Sequence, residues 1–142
     1  MTSPCNCLAL RQATRRVTQL YDQALAPIDL RATQFSLLAQ VERLAPITLN
    51  ELAAALVMDR ATLGHNVRPL QARGLLQLKV GADRRRRDVS LTKAGRSRLA
   101  EGRALWRQAQ QSFEAEIGRG TAATLRAMLH RIAEANFVLA EP

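Results

Sequence analysis

Aromatic side chains are scarce in this 142-residue chain, which has one Trp, one Tyr and three Phe. Because sheets draw heavily on aromatic and β-branched residues, this scarcity argues against a β-sandwich or a β-barrel. Hydrophobic residues nevertheless make up 47% of the chain, and most of them are Ala or Leu. The composition predicts a mainly α-helical protein, and the length suits one domain.

Long hydrophobic runs are also absent. No apolar run reaches the roughly 18 residues that a membrane-spanning helix needs. The first residues do not resemble a signal peptide, because the apolar stretch at residues 8–10 is short and Arg11 follows it on the wrong side. We therefore expect a cytoplasmic protein with no membrane partner. In that compartment Cys5 and Cys7 are expected to be free thiols or ligands, not a structural disulfide.

Motifs of common enzymes are missing as well. The chain has no glycine-rich phosphate loop, no metal-ligand cluster and no nucleophile elbow. An enzyme that pairs Cys5 or Cys7 with His65 or His130 is a weaker alternative, because two scattered histidines make a poor catalytic set. We expect no enzymatic activity and no required cofactor.

Local signals predict the order of the helices. Apolar residues at helical spacing, interrupted by prolines, indicate helices at residues 8–26 and 33–44. Thr92 is expected to cap a long helix that breaks at residues 118–120, and Thr121 to cap the last helix.

Two short capped helices lie between these outer segments. Residues 48–51, Thr-Leu-Asn-Glu, form a capping box that starts a helix through residue 56. Asp59 can cap the next helix, which reaches residue 73 and is closed by Gly74 in a left-handed conformation. Two such helices separated by about three residues predict a helix-turn-helix. Strands at residues 75–80 and 88–91, joined by residues 81–87, would add a hairpin wing.

Arginine is what the chain has in excess. The net charge is +9, and 19 of the 21 basic residues are Arg. Residues 59–98 hold nine Arg and two Lys against three Asp, and four of these arginines are consecutive, at residues 84–87. Adjacent like charges repel unless water or a polyanion neutralises them. Their concentration beside a helix-turn-helix pattern favours nucleic acid as the partner.

The order of elements and the wing pattern Asp-x-Arg-x-x-x-(Leu/Val)-x-Leu-Thr resemble the MarR family of winged-helix transcription regulators over about residues 8–140. The matching positions are Asp83, Arg85, Val89, Leu91 and Thr92. The chain departs from the pattern in its four arginines and in a short wing without the usual proline.

The resemblance implies a particular division of the chain. A single domain, residues 1–142, would contain a winged helix-turn-helix at about residues 31–92. Helices at about residues 8–26 and 93–140 would form a dimerisation lobe. The protein would then be an obligate homodimer with a recognition helix and a wing from each subunit on one DNA duplex.

The recognition helix offers a polar face. Leu63, Val67 and Leu70 share its apolar side, so the opposite side is expected to face the major groove. The expected DNA-binding residues of this helix are Arg60, Thr62, His65, Asn66 and Arg68. Arg68 suits a guanine edge, His65 or Asn66 a base or a phosphate, and Thr62 a phosphate.

The wing is expected to bind DNA differently. By its match to the family motif, Arg85 would enter the minor groove, while Arg84, Arg86 and Arg87 would hold flanking phosphates. Asp83 would orient an arginine. The alternative for the arginines other than Arg85 is simple solvation.

Cys5 and Cys7 precede the first predicted helix, where the helix dipole and Arg11 would raise their reactivity. They are either incidental thiols or an effector site. Two thiolates suit a soft metal ion or a metalloid such as arsenite or antimonite, or zinc, if a dimer supplies the missing ligands. An oxidant could instead form an intersubunit disulfide.

A small aromatic acid is the other effector class. It would bind between the lobes near Tyr21, Phe35, Trp106 and Arg11 or Arg15, although helical spacing alone places these aromatics in a core. The sequence thus favours a dimeric, sequence-specific repressor of a pseudopalindromic operator. A nonspecific architectural DNA-binding protein is the alternative.

Overall fold

The computed structural model describes residues 3–141, which are mainly helical, as the composition predicted. These residues form six α-helices, a 3-10 turn at Ala26–Ile28 and three short strands. The helices are α1 (Asn6–Leu25), α2 (Ala32–Leu44), α3 (Leu49–Ala55), α4 (Arg60–Ala72), α5 (Lys93–Ile117) and α6 (Arg119–Glu134). The strands are β1 (Ile47–Thr48), β2 (Leu76–Val80) and β3 (Arg87–Leu91). None of the helices described is long and apolar enough to cross a membrane.

The chain divides into two compact units, one up to residue 109 and one from residue 110. The first unit contains the hydrophobic core, to which α1 to α5 and the sheet all contribute. The predicted inward faces are confirmed: Phe35, Leu38 and Val41 of α2 and Leu63, Val67 and Leu70 of α4 are all buried. This core fixes which side of α4 remains exposed.

The helix-turn-helix is confirmed together with its caps. Thr48 Oγ1 accepts from the Glu51 N–H at 3.2 Å, and Glu51 Oε2 accepts from the Thr48 N–H at 2.8 Å. Asp59 Oδ1 caps α4 by accepting from the Thr62 N–H at 2.7 Å. Gly74 follows α4 with a positive φ of 70°, as its position after the helix predicted.

The wing is part of a three-stranded antiparallel sheet with the order β1-β3-β2. The hairpin of β2 and β3 was predicted, and its register pairs Leu76 with Leu91 and Val80 with Arg87. Arg87 therefore belongs to β3, one residue before the predicted start of that strand. Strand β1 was not predicted, because two residues are too short for an alternating pattern to be recognised.

Helix α1 begins earlier than predicted. It starts at Asn6 because Cys5 takes the N-cap position, where its Sγ accepts from the Leu8 N–H at 3.4 Å. The expectation that both cysteines precede the helix is wrong for Cys7, which lies in the first turn. Both thiols are free and exposed.

In the second unit the start and the end of α6 differ from the prediction. Gly118, with a φ of 90°, ends α5 and is itself the N-cap of α6, so Thr121 lies inside the first turn. The helix ends at Glu134, and residues 135–141 are not helical, although helix was expected to about residue 140. Ala135 is already extended, and the Asn-Phe-Val sequence that follows has low helix propensity.

Helix α6 leaves much of its apolar side exposed within this unit. Ala122 is buried, and Glu114 lies 3.5 Å from Arg126 Nη2. The exposed apolar residues of the helix are Leu125, Met128, Leu129 and Ile132. Phe137, Val138 and Leu139 beyond the helix are exposed as well.

Candidate nucleic-acid interface

The exposed face of α4 carries most of the residues expected to bind DNA. Arg60, Thr62, His65 and Arg68 are exposed, because Leu63, Val67 and Leu70 anchor the opposite side of the helix in the core. Arg68 Nη2 would lie 3.9 Å from a Cβ placed on Gly64, so its guanidinium lies beside the middle of this face. The helix thus presents cationic and hydrogen-bonding groups along one side.

Two of the expected contacts on α4 already have partners. Thr62 donates its hydroxyl to Asp59 Oδ2 at 2.9 Å as well as its N–H to Oδ1. The Thr62 N–H, and after it the hydroxyl, holds the pKa of Asp59 below its ordinary value. Asn66 is half-buried, and its Nδ2 lies 3.7 Å from Met58 Sδ. In this arrangement Thr62 and Asn66 stabilise the start of the recognition helix.

The wing turn presents Arg84 and Arg85 to solvent. In the part of the chain that the structure describes, neither guanidinium has a hydrogen bond or an ion pair. Asp83 organises the turn, because its Oδ1 accepts from the Arg85 N–H at 3.0 Å and its carbonyl accepts from the Arg86 N–H at 2.9 Å. Asp83 thus orients an arginine, as expected, but through the backbone and not through the guanidinium.

Arg87 and Arg86 are held more closely. Arg87 Nη1 donates to the carbonyl of Arg84 at 3.0 Å. Arg86 turns toward the helix-turn-helix: its Nε donates to Asp88 Oδ1 at 2.5 Å and its Nη2 to Glu51 Oε2 at 3.1 Å. Asp88 is the main cause of the raised pKa of Arg86, and Glu51 contributes less.

Sequence reasoning missed this Arg86 cluster. Glu51 was recognised as a capping residue and Arg86 as a wing cation, but 35 positions separate them. Only the packing of the sheet beside α3 brings the two side chains together. The one local signal was Asp88, which follows the arginine run directly.

Cys5 and Cys7 lie two positions apart at the start of α1. The described residues contain no group of three or more His, Cys, Asp or Glu side chains arranged to hold a metal ion. The two thiols would therefore need ligands from outside this chain to complete a tetrahedral site.

The aromatic residues expected to line an effector pocket lie in different environments. Phe35 is buried in the core, Tyr21 is half-buried and Trp106 is 37% exposed. A cleft of about 480 Å³ in the first unit is lined by none of them. Its lining includes the charged residues Asp22, Asp29, Arg31 and Arg73.

These features define a winged helix-turn-helix DNA-binding regulator, and comparison with known proteins agrees. Residues 28–86 match the model of the MarR family. The chain is similar to the transcriptional regulator MosR of M. tuberculosis, with 34% identity, a TM-score of 0.79 and coverage of 94% of this chain and 98% of MosR. A structure of MosR in complex with DNA shows 35% identity and a TM-score of 0.74, over 90% of this chain and 98% of that one.

Two further relatives are also regulators. The repressor CouR bound to a 23-mer DNA duplex is 28% identical, with a TM-score of 0.82 and coverage of 92% of this chain and 93% of CouR. CouR from Rhodococcus jostii has also been solved bound to p-coumaroyl-CoA. The repressor NicR of Pseudomonas putida is 35% identical over 91 residues, which are 63% of this chain and 58% of NicR.

The chain therefore belongs to the MarR family of DNA-binding transcriptional regulators. The relatives named above are regulators of transcription.

Proposed function

We propose that this protein is a homodimeric, sequence-specific repressor of a pseudopalindromic operator. The observation that carries the proposal is the combination of an exposed polar face on α4 with the unpaired guanidiniums of Arg84 and Arg85 on the wing. In winged helix-turn-helix proteins the second helix enters the major groove, and a basic wing suits the adjacent minor groove. The DNA complexes of MosR and CouR support the same use of the fold here.

Each candidate residue then has a distinct task. Arg68 reads a base edge, and His65 or Asn66 contacts a base or a phosphate. Arg60 and Thr62, in the first turn of α4, lie at the phosphates that flank the groove. Arg85 enters the minor groove, and Arg84 and Arg87 hold the neighbouring phosphates.

Exposed apolar side chains support a homodimer. In the first unit, Leu8 and Leu10 of α1 are each 39% exposed, and in the second unit α6 exposes the four apolar residues given above. Covering such apolar helical faces with a partner removes them from water and so lowers the free energy of the protein. A second copy of the chain is the partner that the proposed pseudopalindromic operator requires, because its two half-sites are related by two-fold symmetry.

The DNA-binding proposal is tested by fluorescence anisotropy with DNA from upstream of the protein's own gene. We expect this DNA to bind at least ~10³-fold more tightly than a random duplex of equal length. A nonspecific architectural protein would bind both duplexes equally.

We further propose that the effector acts at Cys5 and Cys7, as a soft metal ion, a metalloid, zinc or an oxidant. Cys5 Sγ accepts the Leu8 N–H at the start of α1, so ligation or oxidation of this sulfur removes the cap. Both thiols are exposed and can react. A dimer that brings two pairs of thiols together would complete a metal site or an intersubunit disulfide.

Serine substitution provides a well-matched test, because serine is itself a good N-cap. In Cys5→Ser/Cys7→Ser the cap oxygen replaces the sulfur, so we expect unchanged operator affinity. Release by arsenite, antimonite, zinc and peroxide should be lost. Full release of the double variant by each of these agents would show that the thiols are incidental.

An aromatic acid effector is the second candidate, favoured by the partial exposure of Trp106 and by the complex of CouR with p-coumaroyl-CoA, a ligand that carries an aromatic acyl group as a thioester. A series of aromatic acids belongs in the same operator-release screen. Release that is equal in the native protein and in the double serine variant would assign the effector to this class.

A further inference from the structure

Arg86 differs from its three neighbours in the arginine run. Arg84, Arg85 and Arg87 are exposed, whereas the side chain of Arg86 is only 34% exposed. Its guanidinium joins three separate parts of the first unit. It contacts Asp88 in β3, Glu51 in α3, and the carbonyl of Pro46, which lies 3.5 Å from Nη2 just before β1.

Glu51 is held in place before Arg86 reaches it. Its carboxylate accepts both the N–H and the hydroxyl of Thr48, at 2.8 and 3.0 Å. These bonds hold the pKa of Glu51 below its ordinary value, and Arg86 lowers it further, so the carboxylate is ionised at neutral pH. Asp88 is the more buried of the two acidic partners, with a side chain 16% exposed. The guanidinium therefore binds between two carboxylates, one held by Thr48 and the other largely buried.

We propose that Arg86 is a positioning residue: it fixes the base of the wing against α3, and so aims Arg84, Arg85 and Arg87 at the DNA without contacting DNA itself. This assignment replaces the phosphate contact expected from the sequence, and it rests on the proposed DNA-binding function. The core end of the hairpin is held by the buried side chains of Leu76, Val89 and Leu91, and β1 pairs with β3 over two residues. Farther out, Lys79, Val80 and Arg87 are exposed, so the hydrogen bonds of Arg86 join the outer part of the wing to α3.

Electrostatics argues against release of Arg86 to a phosphate. If the guanidinium swung out, the carboxylates of Glu51 and Asp88 would lose their cation next to a polyanion. Like charges near a phosphate backbone oppose binding. The guanidinium of Arg86 therefore has a more favourable interaction energy between these two carboxylates than at one phosphate, and the wing has three other arginines for phosphate contacts.

The substitution Glu51→Gln distinguishes a positioning role of Arg86 from a phosphate contact, because the two roles predict opposite changes in operator affinity. Glutamine can keep the capping box of α3, because its side-chain oxygen can also accept the Thr48 N–H. The substitution removes one negative charge close to the DNA, which by itself strengthens binding. If Arg86 positions the wing, operator binding should instead weaken, by about threefold, as expected for loss of a partly exposed ion pair. Equal or tighter binding of Glu51→Gln would overturn the proposal.

Glu101→Gln is the matched control. It makes the same chemical change at an exposed carboxylate of α5. Because no arginine hydrogen-bonds to Glu101 in the part of the chain that the structure describes, this variant should bind the operator as tightly as the native protein or more tightly. Weakening of both variants to the same extent would overturn the proposal, since it would make the loss unrelated to Arg86.

A double-mutant cycle completes the test. Arg86→Gln should weaken binding, and adding Glu51→Gln to it should cause no further loss. Independent, additive losses in the two variants would contradict a shared role. Thermal melts of all variants identify any that fail to fold. The native protein allows the two proposals to fail separately. If it shows no preference for the operator, the DNA-binding proposal is refuted. If it binds the operator normally and Glu51→Gln binds equally well, only the positioning role of Arg86 is refuted.

Discussion

At the residue scale, four adjacent arginines have three different environments. Arg84 and Arg85 occupy the tip of the turn, Arg87 begins β3 and folds back on the carbonyl of Arg84, and Arg86 points toward Glu51. Successive side chains in a strand point to opposite faces, so neighbours at the start of β3 are expected to diverge. Identical side chains in sequence therefore need not be equivalent in binding.

Arg85→Ala tests the assignment of the wing tip. Loss of an unpaired guanidinium that enters the minor groove should weaken operator binding about tenfold and reduce the salt slope of log affinity by about 1. The measurement is fluorescence anisotropy across a salt series. Arg107→Ala, which removes an exposed arginine of α5, should leave both quantities unchanged. An Arg85→Ala protein with native affinity would leave the wing tip without a role.

Acid should remove the contribution of Glu51 to folding. Its pKa is lowered in the folded protein from an ordinary 4.5, chiefly by the Thr48 N–H, so its stabilising effect is fully present above about that pH. The effect is lost as the pH falls through the lowered value. The urea midpoints of native protein and Glu51→Gln should thus differ at pH 7 and begin to converge as the pH falls below the ordinary value of 4.5. A difference that grows on acidification would have the wrong sign.

At the scale of elements, α4, β2 and α5 approach each other closely where they meet. Thr92 Oγ1 donates to the carbonyl of Gly74 at 2.5 Å and accepts from the Gly95 N–H at 3.0 Å. A methyl group on Gly95 would overlap the carbonyl oxygen of Leu75. The start of α5 is therefore fixed against the end of the recognition helix, with no space for a larger residue.

Gly95→Ala should destabilise the protein even though alanine favours helices. The overlap with the Leu75 backbone is expected to cost about 1–3 kcal/mol of unfolding free energy, measured by urea denaturation. Gly120→Ala is the control in α6, where an added Cβ would have no neighbour within 4 Å. That variant should gain up to about 1 kcal/mol from helix propensity. A neutral Gly95→Ala would show that α5 can shift away from β2.

Thr92→Ala should also weaken this junction. It removes the cap of α5 and the partner of the Gly74 carbonyl, at a cost of about 1–2 kcal/mol of unfolding free energy. Thr92→Ser keeps the hydroxyl and should be close to native in the same urea titration. Equal stability of the two variants would show that the hydroxyl contributes little.

Elements with local signals could be predicted from the sequence, and those that depend on distant contacts could not. The capping box of α3, the cap at Asp59 and Gly74 each lie within a few residues of what they stabilise, and all three were found. Strand β1 exists only because Ile47 pairs with Val89. The cap by Cys5 was missed because thiols are rare in that role.

The same division applies to the candidate site. The exposed face of α4 follows from helical periodicity, so Arg60, His65 and Arg68 were placed correctly on the surface. The hydrogen bond from the Thr62 hydroxyl to Asp59 and the ion pairs of Arg86 depend on where the side chains lie in the folded protein, which a periodic sequence pattern does not show.

At the scale of the whole molecule, association should cover the apolar side chains that a single chain leaves exposed. Light scattering should give twice the chain mass of 15.7 kDa. Leu129→Arg, which places a charge on the exposed apolar side of α6, should shift the protein toward monomer. Ala127→Arg, on the opposite side of the helix, should remain dimeric. A monomeric native protein would contradict the proposed assembly.

Helix α1 is long enough to connect the cap at Cys5 mechanically to the start of α2. With 20 residues the helix is a rod about 30 Å long. Cys5 caps one end, and near the other end Asp22 Oδ1 accepts from the Ala32 N–H at 2.7 Å, where α2 begins. Leu25 at the far end is fully buried, so a stiff rod that is displaced at the sulfur would turn about that end. Such a turn would act as a torque on the contact between Asp22 and the first turn of α2, a helix that shares its core with the recognition helix.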